Sequence, residues 1–285
     1  MSKMKKTLSL MLALSLTVSA FVVSPRTVEA KTVTYSIENV TDLGTGNTVT
    51  KTWTNKDHKE AYFSFTLKKN GYASFSITKP VVDGLKHEER VAVLNQNGHE
   101  VWVGDTKAIE DWNAASASFK VGLKKGSYYL CIQPQSLTVM SWQSAQTDVS
   151  LTTKADANFE TESNNTKKTA NALKVGKAMK ASFCEEYDVE DIKSDKVYED
   201  WFKVRVKKGT TYKVTLKNNK KLKANGRNTL CHVYNNNKIV DRTTLMKKGS
   251  YTFKASKNGY YYIRVWNDSQ HKSADYQIKV EKKKK

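Results

Sequence analysis

Three stretches in the first half of the chain return, in the same order, in the second half. AYFSFTLKKNGY from Ala61 is matched by DWFKVRVKKGTTY from Asp200, RVAVLNQNG from Arg90 by LCHVYNNNK from Leu230, and GSYYLCI from Gly126 by GYYYIRV from Gly259. The offsets of 139, 140 and 133 residues are too long for a solenoid unit, so a whole domain has been copied. Within each copy, short runs rich in Tyr, Phe, Val and Thr alternate inward and outward residues and are cut by turns such as Lys69-Asn70-Gly71, Asn95-Gln96-Asn97-Gly98 and Lys207-Lys208-Gly209. Only Thr166 to Leu173 reads as a short helix. Alternating strands build a core between two packed antiparallel sheets, so the fold class is all-β, with two tandem antiparallel β-sandwich domains.

The chain divides accordingly. Residues 1–30 read as a signal peptide, because Lys3, Lys5 and Lys6 precede an apolar run from Leu8 to Val23 that ends near Val28-Glu29-Ala30. The other reading, a retained anchor, is weakened by the Ser and Thr in that run and by its length, since a span needs about 20 apolar residues. Residues 31–153 are assigned to the first sandwich, 154–163 to an acidic linker, 164–281 to the second sandwich and 282–285 to a solvated basic tail. A polar linker of this kind predicts proteolytic cutting between Thr153 and Ser163. No later segment reaches membrane-spanning length, so no integral membrane segment is expected after Ala30.

Losing Lys3, Lys5, Lys6, Arg26 and Glu29 lowers the formal net charge from +20 to +17. A field of that sign favours anionic partners. Lysines spread through every segment, without a nucleic-acid-binding signature, argue against nucleic acid and leave an anionic cell-wall polymer, or general solubility, as the use of the charge. Catalysis finds no support in the pattern: the histidines at 58, 87, 99, 232 and 271 are dispersed, no zinc spacing or G-x-S-x-G is present, and Cys131, Cys184 and Cys231 sit in no nucleophile signature. Cys231 aligns with Val91 on an inward position, and whether it pairs with Cys184 cannot be read from spacing.

An E-x-E-x-N-N-T lead-in from Glu160, the Asp200-Trp201-Phe202 strand, the Lys207-Lys208-Gly209 turn and the Gly259-Tyr260-Tyr261-Tyr262-Ile263-Arg264-Val265 strand, in that order, resemble the bacterial pre-peptidase C-terminal domain family. That family includes the collagen-binding domains of clostridial collagenases. The resemblance covers nearly all of residues 159–281 and, more weakly, 33–152. It implies jelly-roll-like, noncatalytic domains, and a calcium ion held by oxygens of the lead-in segment, which places Glu160, Glu162, Asn164 and Asn165 among its ligands.

The chemistry of the residues fits on its own terms, because calcium takes six to eight oxygens and alternate residues of an extended segment point the same way. A second strand must complete the shell, and Asp188, Asp191, Asp195, Glu199 and Asp200 are the acidic concentration nearby, with Asp191 and Asp200 taken as ligands. The plainer reading is that Glu160 and Glu162 lie in a solvated linker while Asn165 or Thr166 caps the short helix. Ala61 stands where Asp200 stands, and no acidic lead-in precedes it, so the first copy is expected to be metal-free.

In the last matched strand Tyr260, Tyr262 and Arg264 share one side, expected to face outward, and tyrosine with arginine is the usual chemistry of an interface anchor. The family's tyrosines on such strands contact ligand; cross-strand aromatic pairs that merely stabilise a half-exposed sheet explain them equally well. The first copy has Ser127, Tyr129 and Cys131 there. Three functions follow: a secreted noncatalytic protein that binds an extracellular polymer or protein, cell-associated only by noncovalent contacts; an accessory or inhibitory partner of a secreted peptidase; and an enzyme with an unrecognised site.

Overall fold

Alternation along single strands decides which residues meet. In Gly71–Thr78 every second residue is buried, and in Ala61–Leu67 the inward Phe63, Phe65 and Leu67 are 2–3 % exposed. A computed structural model describes residues 35–54, 60–82, 85–86, 89–105, 115–134, 144–183, 199–218, 228–246, 248–267 and 274–283. The signal peptide, Asp188, Asp191, Asp195 and Cys184 lie outside the described residues.

The first sandwich is built from β1 (Thr41–Asp42), β2 (Thr48–Thr54), β3 (Ala61–Leu67), β4 (Gly71–Thr78), the small hairpin β5 (Val81–Val82) and β6 (Leu85–Lys86), β7 (Glu89–Leu94), β8 (Glu100–Asp105), β9 (Ser116–Leu123), β10 (Gly126–Pro134) and β11 (Ser144–Ala155). The second contains β12 (Asn171–Leu173), β13 (Ala178–Phe183), β14 (Glu199–Val206), β15 (Thr211–Asn218), β16 (Asn228–Asn235), β17 (Lys238–Met246), β18 (Lys248–Lys254), β19 (Gly259–Asn267) and β20 (Ala274–Lys282).

The repeat in sequence is a repeat in topology. One five-stranded sheet runs β1-β3-β10-β7-β8 and the other β12-β14-β19-β16-β17, while the four-stranded sheets run β2-β11-β4-β9 and β13-β20-β15-β18. All these pairings are antiparallel except the first in each five-stranded sheet, where β1 joins β3 and β12 joins β14 in parallel. Each pair of sheets encloses its own apolar core. Trp53, Phe63, Phe75 and Leu130 belong to one, and Phe202, Tyr212, Tyr261 and Ile278 to the other. Burying an aromatic or aliphatic side chain of this kind stabilises by about 1.5–3 kcal/mol, so these layers hold the sheets together. Cys231 is 0 % exposed inside the second core, on the inward side that its match with Val91 requires.

Four expectations change. No helix is found among the described residues: Thr166–Thr169 form a single turn, with Thr169 N–H donating to Thr166 C=O at 3.2 Å, and the chain then enters β12. A segment that short has no room for a buried helical stripe, whereas its backbone can pair with β14. Strand β11 reaches Ala155, whose partner is Gly71, so the first sandwich takes two residues from the assigned linker. Strand β20 takes in Lys282, and Lys283 N–H donates to Thr211 C=O at 2.9 Å, which draws the start of the basic tail into the second sandwich.

The fourth change concerns the linker itself. Glu160 N–H donates to Lys180 C=O at 2.8 Å, Lys180 N–H to Asn158 C=O at 2.7 Å, and Glu162 N–H to Gly122 C=O at 2.9 Å. The acidic segment is thus stitched to β13 on one side and to β9 on the other. Its backbone polar groups are satisfied by both sandwiches, as a buried segment requires and a spacer does not. These bonds join the two sandwiches within one compact unit, Val33–Lys285.

Candidate metal centre

Strand addition puts the lead-in side chains where they are. Phe159 bridges Lys180 in parallel and packs its ring 4.8 Å from that of Tyr72, and Asn171 clamps Thr161, two residues on, from both sides, accepting from Thr161 N–H at 3.1 Å and donating to Thr161 C=O at 2.9 Å. With the chain fixed at 159 and 161, Glu160 turns inward and is 1 % exposed. Asn164 is fully buried and its C=O accepts from Trp201 N–H at 2.9 Å, which ties the lead-in to β14 beside Asp200.

Carboxylate oxygens of Glu160, Glu162 and Asp200 all lie within 4.8 Å of one another. Among the described residues no Lys, Arg or His forms an ion pair with any of the three. Their partners are neutral donors. Glu160 accepts from Ser182 N–H at 2.6 Å and from Asn164 Nδ2 at 2.9 Å, Glu162 from Asn164 N–H at 3.3 Å, and Asp200 from the Tyr276 hydroxyl at 2.5 Å. Asn164 Oδ1 is buried without a hydrogen-bond partner among the described residues.

Three carboxylates gathered this closely repel one another, and burial adds to the cost of their charge. Burial first, then the neighbouring charges of Asp200 and Glu162, hold the Glu160 carboxyl well above its usual range; burial and Asp200 do the same to Glu162. Burial lifts Asp200 to about 7, against the Tyr276 hydrogen bond that pulls it down. Burial, then the same carboxylates, also raise the Tyr276 hydroxyl well above its ordinary value. Three adjacent carboxylates, beside a buried Asn164 whose Oδ1 has no hydrogen-bond partner among the described residues, are residues that could hold a hard divalent ion, which would supply balancing charge.

The expected site residues divide into three groups. Glu160, Glu162, Asn164 and Asp200 are brought together; Asn165 is exposed and contributes no contact to the cluster; Asp191 lies outside the described residues. Glu199, in the same acidic run, is turned away to the outer face, where it pairs with Arg264 and accepts from Trp201 Nε1 at 2.8 Å. Sequence reasoning missed Tyr276, Ser182 and Asn171. None carries a local motif; Asn171 follows Thr161 by only ten residues, whereas Ser182 and Tyr276 are farther off and the pairing of β13 with β20 brings them in.

On the outer face of the β12-β14-β19-β16-β17 sheet, Tyr261, Ile263 and Val265 point into the core and Tyr260, Tyr262 and Arg264 point out, as alternation requires. Register sets cations beside aromatics: Arg205 opposite Tyr260, Lys203 opposite Tyr262, and Trp201 opposite Arg264. The three candidates are not equivalent. Tyr260 is 51 % exposed, whereas Tyr262 packs against Ala170, Trp201 and Tyr234, and Arg264 is held by Glu199 with its guanidinium 4.4 Å from the Trp266 ring centre. In the first sandwich the matching face is covered: Tyr35 and Ile37 pack over Tyr62, Leu94, Tyr129 and Cys131, and burial drives the Cys131 thiol up to about 12. A thiol so raised is the opposite of an activated nucleophile.

No helix among the described residues is long and apolar enough to cross a membrane. No known family pattern matches the chain, and no curated protein does. Among solved structures it is similar to the pre-peptidase C-terminal domain of a collagenase from Bacillus anthracis, at 13 % identity and a TM-score of 0.30, over 41 % of this chain and 98 % of that one. It is also similar to a periplasmic inhibitor of g-type lysozyme from Aeromonas hydrophila, at 5 % identity and a TM-score of 0.27, over 40 % of this chain and 97 % of the inhibitor. A third likeness, at 7 % identity and a TM-score of 0.23, is to an M60 catalytic domain with CBM51-1 and CBM51-2 domains from Clostridium perfringens, over 78 % of this chain and 34 % of that one. Likenesses of this size leave the reading of function to the site itself.

Proposed function

We propose that this chain is a secreted, noncatalytic binding protein that recognises an extracellular polymer or protein through the outer face of its second sandwich, with calcium bracing the lead-in to that sandwich. The observation that carries the binding reading is the register of cations beside aromatics around the exposed Tyr260. Such a surface offers rigid aromatic area and charged donors together, the composition of protein and polymer recognition faces. Its counterpart in the first sandwich lies under the Tyr35–Ile37 segment, so of the two matching faces that of the second sandwich is the open one.

Calcium acts in this reading as a structural ion. Glu160, Glu162, Asp200 and Asn164 Oδ1 would hold it, and it would neutralise the charge that burial makes costly. Tyr276, Ser182 and Asn171 keep those oxygens in place.

The test is retention of the purified chain, lacking residues 1–30, on cell wall, on collagen and on heparin, at low and at moderate salt. A specific site predicts retention on one of these matrices that survives moderate salt and falls when Tyr260→Ala is combined with Arg205→Ala. Retention lost with salt for every matrix, and indifferent to that pair, would reduce the face to a stabilised sheet surface.

A further inference from the structure

The four-stranded sheet of the second sandwich has an outer face rich in lysine. Tyr212, Val214, Leu216, Ile278 and Val280 point into the core, so the residues between them point out. Those outward positions carry Lys180 on β13, Lys213 and Lys217 on β15, Lys254 on β18 and Lys279 on β20. Register sets Lys217 and Lys180 on either side of Gln277 in a single row across three strands. Strand spacing places such a pair of stems roughly 10 Å apart, and the rise per residue separates Lys213 from Lys217 by about 13 Å.

The acids on this face are already taken. Asp275 pairs with Lys120 of the first sandwich, and Glu281 with Lys279 at 2.6 Å. Lys213, Lys217 and Lys254 have no acidic partner among the described residues. The face continues into a cleft of about 430 Å³ at the seam of the two sandwiches, lined by Lys217, by Lys120 paired with Asp275, by Lys180 paired with Asp156, and by Tyr72 and Phe159. The corresponding face of the first sandwich is mainly hydroxyls, with Thr48, Ser150, Ser76 and Ser118 in one row across all four strands, and its charged positions are of mixed sign: Asp148 and Lys154 on β11 and Lys120 on β9. Charge is therefore concentrated by position and is not merely an effect of composition.

We infer that this lysine face and its cleft bind a linear polyol-phosphate polymer, a chain of phosphodiesters joined by hydroxylated linkers. Three features select that chemistry. Every cation among the described residues of the face is a lysine, a compact point charge on a flexible stem that suits a chain of singly charged phosphodiesters without demanding the bidentate geometry of an arginine fork. Thr211, Thr215, Thr252 and Gln277 lie between the lysines and supply neutral donors for the hydroxyls and phosphate oxygens of such a chain. Among the described residues no exposed ring lies on the open face to stack a sugar or a base, which separates this surface from the Tyr260 face and from single-stranded nucleic-acid binders.

The inference deepens the reading of the chain as an extracellular binding protein with an anionic partner, and it assigns that partner to a second surface. The experiment titrates the whole chain lacking residues 1–30 with poly(glycerol phosphate), and with poly(glutamate) of similar length. The expected result is preferential binding of the phosphate polymer, weakened by salt, and a loss of at least about tenfold when Lys213, Lys217 and Lys254 are changed together to Glu. Unchanged melting of the triple variant confirms that it folds. A control reversing the same number of charges on the turns of the first sandwich, Lys68, Lys69 and Lys125 to Glu, should leave affinity within about twofold.

Equal losses in the two triple variants would overturn the inference in favour of net charge alone. Equal affinity for poly(glutamate) would overturn the choice of phosphate, and no binding at low salt would overturn the site. The Tyr260→Ala, Arg205→Ala pair should leave this binding untouched, so failure of the aromatic-face reading and failure of the lysine face can be told apart.

Discussion

The two sandwiches share strand order and register, yet differ at the three positions that decide whether an ion can be held. Ala61 faces Ile132 as Asp200 faces Val265. Following the pairings of β11 and β20 inward, Thr147 occupies the position of Tyr276, and Lys51 that of Ala181. Where the second sandwich has a carboxylate, its hydrogen-bonding tyrosine and a small neutral residue, the first has alanine, threonine and a lysine. The Lys51 ammonium lies 5.2 Å from the Trp53 ring centre and lines the same cleft as Glu38 and Glu60. An acidic pocket that lacks a cation and a pocket that contains its own lysine are two solutions on one backbone. Topology was conserved in the duplication because the cores need it; the pockets were free to diverge in charge.

The most direct way to break this comparison is to remove calcium. If the ion binds only the folded second sandwich, it adds about 2.7 kcal/mol at a hundredfold excess over Kd. Melting followed by calorimetry in millimolar calcium and in chelator should separate clearly, and Glu160→Gln with Glu162→Gln should abolish most of the separation. Magnesium should substitute poorly, since it demands a tighter octahedron and keeps its waters. Melting unaffected by calcium would remove the ion from the account of Glu160, Glu162 and Asp200.

Gly122 tests whether the first sandwich helps to shape the site of the second. A Cβ there would lie 2.1 Å from Glu160 C=O and 2.8 Å from the Phe159 ring. Backbone cannot yield as a flexible side chain can, so Gly122→Ala should force the lead-in away from β9 and cost about 1–3 kcal/mol. It should also weaken the calcium response, although residue 122 offers no ligand. Limited proteolysis checks the same coupling: the segment from 156 to 164 should resist cutting in the unaltered protein and become susceptible in the variant. Normal calcium response in Gly122→Ala would show that β13 and β14 alone fix the lead-in.

Much of this architecture was legible in the chain because strand alternation and the long repeat are local or countable. The lead-in pattern of Glu160, Glu162 and Asn164 was equally plain, since all three residues lie within a span of five. Illegible were the contacts set by register between remote strands, such as the Tyr276 hydroxyl on Asp200 or the Ser182 N–H on Glu160. The helix at Thr166 failed for a related reason: its residues permit one turn, and the parallel edge of β14 then captures the chain. The linker was misread because exposed and buried carboxylates look alike in sequence; only the Gly122 and Lys180 backbone partners distinguish them.

Asp200 sharpens the contrast through pH. Its carboxyl sits near 7 in the folded protein against an ordinary value of 3.8, so the folded state favours the protonated form. Without calcium, that contribution is fully present below the ordinary value and is lost as pH rises through about 7. Glu160 and Glu162, also raised, act in the same direction. Asp200→Asn should therefore stabilise the calcium-free protein above neutrality, by about 1–2 kcal/mol, and lose the gain in acid. The same variant should respond weakly to calcium. Urea midpoints at acidic and alkaline pH, in chelator, distinguish this from a simple packing defect, which would destabilise at both.

The smallest expected effect lies at the edge of the seam. Lys180 Nζ lies 2.7 Å from Asp156 Oδ2, and this hydrogen-bonded pairing holds the Asp156 carboxyl below its usual value. Asp156 also accepts from Asn158 N–H at 3.0 Å, so it orders the turn that leads from β11 into the acidic segment. A lowered carboxylate contributes stability above its ordinary value and loses it as pH falls through the folded one. Because the Lys180 side chain is 48 % exposed, solvent screens the pair, and Lys180→Ala should cost only about 0.2–1 kcal/mol near neutrality. The cost should shrink in high salt and vanish in strong acid, where Asp156 is protonated in both proteins. A cost that persisted unchanged at low pH would assign the role of Lys180 to its aliphatic stem against β13 and the lead-in, and the ion pair would drop out of what joins the two sandwiches.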